Sequence, residues 1–145
     1  YGIDGQNSSG KFPAFIERRR HNWNRLYNSL ATIQNKIILP EPAKNSRPSW
    51  FGFLITLKPD SGLQRNSVIN YIEEHNIQTR LLFSGNLIKH PCFDQIRNTN
   101  AYRVVGSLKN TDYIMNNTFW VGVYPGMNDT MIDYMAKIIK EAVAE

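Results

Sequence analysis

The chain has 145 residues, enough for one domain with a hydrophobic core and too few for two comfortable ones. Apolar residues make up 41% and charged residues 20%, a globular composition, and no apolar run approaches the roughly 20 residues of a membrane span. The net charge of +5 invites a nucleic-acid reading, but only Arg18, Arg19 and Arg20 cluster and Glu17 adjoins them, so the basic stripe with interleaved aromatics that such binding needs is missing.

In chain order, Tyr1–Gly10 (YGIDGQNSSG) is rich in Gly, Ser and Asn, has no period and no signal-peptide pattern. It reads as a flexible lead-in, a cloning remnant or a cut end. Pro13 suits the first turn of a helix. From Phe12 to Leu30 the residues Phe12, Phe15, Ile16, Trp23, Leu26, Tyr27 and Leu30 fall in one arc of roughly 120°, which predicts an amphipathic helix. Arg19 lies inside that arc; its head either snorkels outward or pairs with a surface outside this chain.

Lys36–Leu39 is a candidate short strand, and Pro40, Pro42 and Pro48 then hold an extended loop. WFGFLITLK, Trp50 to Lys58, predicts a strand that ends in the turn residues Pro59, Asp60, Ser61 and Gly62. A helix is expected over Ser67–His75, with Asn66 as N-cap, Val68, Ile69 and Ile72 inward, and Asn76 in the left-handed conformation that closes it.

Ile77–Phe83 is the next expected strand. Asn110 and Thr111 look like the cap of a short helix carrying Tyr113, Ile114 and Met115. Phe119–Val123 is a third strand, stopped by Pro125 and Gly126. The last helix is expected over Asn128–Ala144, with Met131, Ile132, Met135, Ile139, Ala142 and Val143 on one face and Asp129 favourably placed in its first turn. Trp120, Tyr124 and Tyr102 read as core aromatics at strand positions. The expected architecture is a two-layer α/β sandwich: a small three-stranded sheet backed by amphipathic helices.

Common catalytic patterns are absent. There is no Walker-type loop and no GxGxxG. His21, His75 and His90 lie in different segments and, with one cysteine, make no zinc spacing. Cys92 excludes an internal disulfide and fits a reducing, cytoplasmic compartment. Its nearness to His90 is weak grounds for a thiol nucleophile, because no third orienting group is legible.

The stretch TRLLFSGNLIKHPCF, Thr79 to Phe93, runs from strand-like to polar. Arg80, Ser84, Asn86, Lys89 and His90 form a candidate ligand-facing group, and strand alternation sets Arg80 and Leu82 opposite Leu81 and Phe83. Gly85 permits a sharp turn, and Pro91 fixes the chain after His90. Such a loop on a rigid sheet suits sugar hydroxyls or phosphate oxygens, or it is simply solvated.

The segments SWFGFLITLK, IEEHNIQTRLLFSGNLIKHPCF and YRVVGSLKNTDYIMNNTFWVGVYPGM resemble the C-terminal domain of the DegT/DnrJ/EryC1/StrS sugar aminotransferase superfamily. Within it, TRLLFSGNLI and NTDYIMNNTFW are most similar to the RfbH-type branch of lipopolysaccharide O-antigen (3,6-dideoxyhexose) biosynthesis, the 3-dehydratases acting on CDP-4-keto-6-deoxyglucose. The resemblance runs from about Pro13 to the C-terminus, so residues 11–145 are expected to be a C-terminal small domain. It implies a type I PLP-fold homodimer whose large N-terminal domain lies upstream and holds pyridoxal or pyridoxamine phosphate. In the dehydratase branch it further implies a histidine in place of the Schiff-base lysine, an iron–sulfur cluster and a reductase partner.

On that resemblance this chain closes over a CDP-hexose, contributes no catalytic, cofactor or metal residue, and is inactive alone. Its expected substrate contacts are Arg80, Ser84, Asn86 and His90, with Arg103 as a further anion contact. A sugar aminotransferase domain and a non-catalytic α/β binding module are the alternatives. A domain that docks on a larger one should expose apolar surface at Phe12, Phe15 or along the Trp23 helix; a free-standing module should not.

Overall fold

The computed structural model describes residues 11–144, so the expectation for residues 1–10 lies outside the described residues. Helix α1 (Lys11–Leu30) continues into a 3-10 turn, Ala31–Ile33. Then follow β1 (Ile37–Ile38), β2 (Gly52–Leu57), α2 (Arg65–Glu74), β3 (Thr79–Leu81), α3 (Lys109–Asn117), β4 (Thr118–Gly122) and α4 (Asp129–Ala144). The strands form one antiparallel sheet in the order β1-β2-β4-β3. The three expected strands are its centre and one edge, and the short candidate near Lys36 is the other edge.

Alternation along β2 buries Phe53, Ile55 and Leu57. They share the inner face with Phe119 and Val121 of β4, which pair with Ile55 and Phe53. Helices α1, α2 and α4 cover that face through Trp23, Leu26, Leu30, Val68, Ile72, Ile132, Met135 and Ile139. Trp23 stacks on Trp50 at 4.5 Å between ring centroids, joining α1 to the proline-rich loop. The other sheet face carries Leu54, Trp120 and Arg80, and α3 crosses part of it: the Tyr113 hydroxyl donates to the Leu57 carbonyl.

The arginine run of α1 is largely engaged within the fold. Arg18 donates from Nε and Nη2 to the Met127 carbonyl, at 3.1 and 2.8 Å, and pairs with Asp129. Arg20 holds the Arg47 and Pro48 carbonyls. Arg19 is half-buried with no partner among the described residues.

Several local expectations are corrected. Asn66 does not cap α2: the helix begins at Arg65 after Gln64, and the Asn66 amide oxygen instead accepts from the Arg65 guanidinium. Asn110 and Thr111 lie inside α3, whose N-cap is Leu108. Met131 leaves the buried face of α4 and is exposed. The strand expected over Ile77–Phe83 keeps only Thr79–Leu81, because the chain departs from β4 there. Asn76 does close α2 with a φ of 62°.

Candidate functional site

After β3 the chain forms an irregular arm built from two 3-10 turns, Leu87–Lys89 and Pro91–Ile96. Gly85 starts it with a φ of 75°, and a Cβ there would lie 2.9 Å from Met115 Cγ of α3. Asn86 is only 3% exposed. Its Nδ2 donates to Asp112 Oδ1 at 2.7 Å, and its backbone N–H meets Met115 Sδ. Lys89 Nζ reaches the same Asp112 oxygen at 2.9 Å. These two donors, Asn86 first, hold the Asp112 carboxyl below its ordinary range.

His90 Nε2 donates to the Ser84 carbonyl at 2.6 Å, closing the arm on itself. Arg97 donates to the Ile88 and His90 carbonyls and pairs with Asp94. Asn86, Lys89 and the His90 Nε2 therefore shape the arm. The Ser84 side chain remains exposed, beside Phe83, which is 79% exposed.

Arg80 lies elsewhere. Residues 76–80 alternate exposed and buried: Ile77 and Thr79 turn inward, while Asn76, Gln78 and Arg80 face outward. Thr79 is fixed by a bond from its hydroxyl to Glu73. The side chains of Asn76, Gln78 and Arg80 have no partner among the described residues. They line one side of a cleft of about 660 Å³, within the usual range for small-molecule sites.

Trp120, the cross-strand partner of Arg80, stands beside it on the same sheet face, and Tyr124 in the turn beyond β4, with Met131 and Tyr134 of α4, completes the lining. The aromatic wall is fixed from behind. Asn22 Nδ2 donates to the Tyr124 carbonyl at 2.9 Å, and Arg18 holds the Met127 carbonyl. The Tyr124 ring lies over Gly126, where a Cβ would meet its Cε2 at 2.7 Å. The Tyr134 hydroxyl donates to the His75 carbonyl.

The structure thus divides the sequence-derived group. Arg80 stands in the cleft. Ser84, Asn86 and His90 belong to the arm. Arg103 is exposed in the irregular segment before α3, has no partner among the described residues, and is not part of the cleft lining. Tyr124, expected in the core, is 53% exposed and faces the cleft beside half-buried Trp120. Asn76 and Gln78 were readable as the same outward face as Arg80, through the two-residue period.

The cleft does not fit a pyridoxal-type cofactor. Its lining contains neither a lysine for an imine nor a carboxylate for a ring nitrogen. Cys92 is exposed, and no group of three His, Cys, Asp or Glu side chains able to hold a metal occurs among the described residues. Among those residues no helix is long and apolar enough to cross a membrane.

Residues 5–140 match the model of the DegT/DnrJ/EryC1/StrS aminotransferase family. The chain is 47% identical over 135 residues to a dTDP-4-dehydro-2,6-dideoxy-D-glucose 3-dehydratase of Saccharopolyspora spinosa, covering 93% of this chain and 28% of that protein. It is 46% identical over 127 residues to the lipopolysaccharide biosynthesis protein RfbH of Salmonella typhimurium, covering 88% and 28%. Among solved structures it is similar to the E. coli GDP-4-keto-6-deoxy-D-mannose-3-dehydratase with bound hydrated PLP. The TM-score is 0.77 at 25% identity, covering 93% of this chain and 33% of that one. S. venezuelae DesV shares the fold at a TM-score of 0.77 and 14% identity, over 97% of this chain and 35% of its own. The chain therefore spans under a third of the length of the curated relatives just described.

Proposed function

Because the chain belongs to the DegT/DnrJ/EryC1/StrS aminotransferase family, we propose that it is the substrate-closing small domain of a nucleotide-sugar 3-dehydratase of lipopolysaccharide O-antigen biosynthesis. The observation that carries this reading is the 46–47% identity, across about nine-tenths of the chain, to one protein named as a dTDP-sugar 3-dehydratase and one named for lipopolysaccharide biosynthesis. The substrate is CDP-4-keto-6-deoxyglucose, and the compartment is the cytoplasm.

The cofactor, pyridoxamine or pyridoxal phosphate, and an iron–sulfur cluster belong to a large domain outside this sequence, in a homodimer served by a reductase. Phe12 and Phe15 at the start of α1, which are 63% and 50% exposed, support that division. Adjacent exposed phenylalanines on one helix suit a docked neighbour better than a free-standing module.

Within this chain, Arg80 offers a planar fork to a phosphate or keto oxygen, while Asn86 and His90 shape the separate arm that carries the exposed Ser84. Arg103, exposed outside the cleft, is the further anion contact of this reading. The second reading, a sugar aminotransferase, is favoured by the family's description.

The full-length gene product decides between them. Purified with pyridoxamine phosphate and a reducing partner, it is expected to convert the CDP-4-keto-6-deoxyhexose to a 3-deoxy product. An amino sugar formed with glutamate as donor would replace the dehydratase by the aminotransferase. A product that neither binds the cofactor nor acts on a nucleotide sugar would overturn both.

A further inference from the structure

We propose that the arm between β3 and α3 is a hinged strap, held by one polar latch at Asp112 and able to swing as a piece while the sheet and its helices stay packed. The inference stands on the fold alone and goes beyond the functional reading, needing no particular substrate.

Burial is the first ground. From Ser84 to Gly106 the described residues include one buried side chain, the Asn86 amide. Leu87, Phe93, Ile96 and Val105 stay exposed, so little apolar area leaves water where the arm lies against the domain. Segments with few buried apolar contacts open at a far lower free energy than the core they are attached to.

The second ground is where the bonds go. Backbone N–H groups of Lys89, His90, Phe93, Arg97 and Thr99 donate to carbonyls of the arm itself. Side chains stiffen it further: His90 holds the Ser84 carbonyl, and Arg97 holds those of Ile88 and His90. Beyond the arm, its bonds among the described residues reach α3 alone. Asn86 Nδ2 and Lys89 Nζ meet the same Asp112 oxygen, and the Asn86 N–H meets Met115 Sδ. A segment braced from within and tied at one place moves as a unit instead of fraying.

The ends of the arm suit such a motion. β4 accompanies the chain only as far as Leu81. At the far end Gly106 has a φ of 72°, with nothing within 4 Å of the place a Cβ would take. Hinges are commonly a few positions of this kind at the ends of elements. The latch, by contrast, is tight: the close approach of Gly85 to Met115 leaves no room for a side chain.

The test puts one spin label on Cys92, the chain's own exposed cysteine within the arm, and a second on Lys137→Cys in α4, and measures the distance between them by pulsed electron resonance. The parent is expected to show one main distance and a minor second one. Asp112→Ala and Gly85→Ala each break the latch and should raise the second population relative to the first by about tenfold or more. In both variants the N–H groups of His90, Phe93 and Arg97 should keep the protection from hydrogen exchange that they have in the parent. Thermal melts should remain cooperative, showing the core folded.

An unchanged distance distribution in both variants overturns the proposal. So does loss of the arm's own protection once the latch is cut, because the arm then melts and does not swing, as does free exchange of those amides in the parent. Loss of the cooperative melt in both variants would make the arm part of the core and overturn it as well.

Discussion

Arg80→Ala and Asn86→Ala are expected to separate in opposite directions on stability and on catalysis. Arg80 is exposed and has no partner among the described residues, so its loss should leave stability within about 0.5 kcal/mol. Asn86 is 3% exposed, and its amide donates to the Asp112 carboxylate. A bond of this kind is worth about 1.5 kcal/mol, and truncating the buried side chain removes its packing as well. At roughly 2–4 °C per kcal/mol for a chain of this size, Asn86→Ala should lower Tm by about 5 °C and Arg80→Ala by less than about 2 °C.

In the full-length enzyme the order reverses. If Arg80 grips the substrate as proposed, Arg80→Ala should lower kcat/KM by about a hundredfold or more. Asn86→Ala acts only through the arm and should cost less. Urea or thermal melts of the chain and steady-state kinetics of the enzyme read the two effects separately. Equal destabilisation by both variants would show that Arg80 has a role in the fold. Unchanged kinetics in Arg80→Ala would remove it from the site.

Other outcomes follow from the same geometry. Asp129 is held below the ordinary carboxylate range by bonds from His21 and Arg18 and by the nearby Arg25. Its folded pKa lies below its unfolded one, so its contribution is present above about pH 4 and lost as pH falls through the folded value; in Tm-versus-pH scans Asp129→Asn should melt earlier than the parent at neutral pH, with the gap closing in acid. Gly52 and Gly122 face each other across β2 and β4, yet a Cβ on Gly52 would lie 2.5 Å from the Trp120 ring while one on Gly122 meets nothing within 4 Å. Gly52→Ala should cost about 1–3 kcal/mol in urea melts and Gly122→Ala less than about 0.5 kcal/mol. Phe12→Ser with Phe15→Ser should leave the melt of this chain within about 0.5 kcal/mol, as urea melts would show, because both rings are exposed.

Periodicity made the fold legible. The α1 stripe, the alternation of β2 and the inner face of α4 are long patterns that tertiary packing reinforces, and Asn76 carried its own backbone signal. Caps were less legible. Asn66 and Asn110 have the right chemistry, but a cap depends on where the chain enters the helix, which the preceding loop decides. β3 came out shorter than its apolar run because a strand needs a partner, and β4 accompanies it only over Thr79–Leu81.

The candidate site was legible as residue types and illegible as engagement. Ser84, Asn86, Lys89 and His90 are all polar and lie close in sequence, so composition treats them alike with Arg80. Only the arrival of Asp112 and Met115 from α3 decides that the Asn86 amide turns inward. That contact joins segments 26 residues apart, and no local pattern encodes it.

The misjudgement of Tyr124 has a different origin. An aromatic residue at the end of a strand is core unless something makes room for its ring at the surface. Here glycine does so: Gly126 supports Tyr124, and Gly52, packed in the same way, supports Trp120 in the cleft lining. Each ring occupies space that a methyl group would take, so the cleft depends on two missing side chains as much as on the aromatics that line it. An aromatic residue with a close-packed glycine beside it is therefore a different signal from an aromatic residue alone. In this chain both rings line one cavity, beside amides and a guanidinium that have no partners among the described residues.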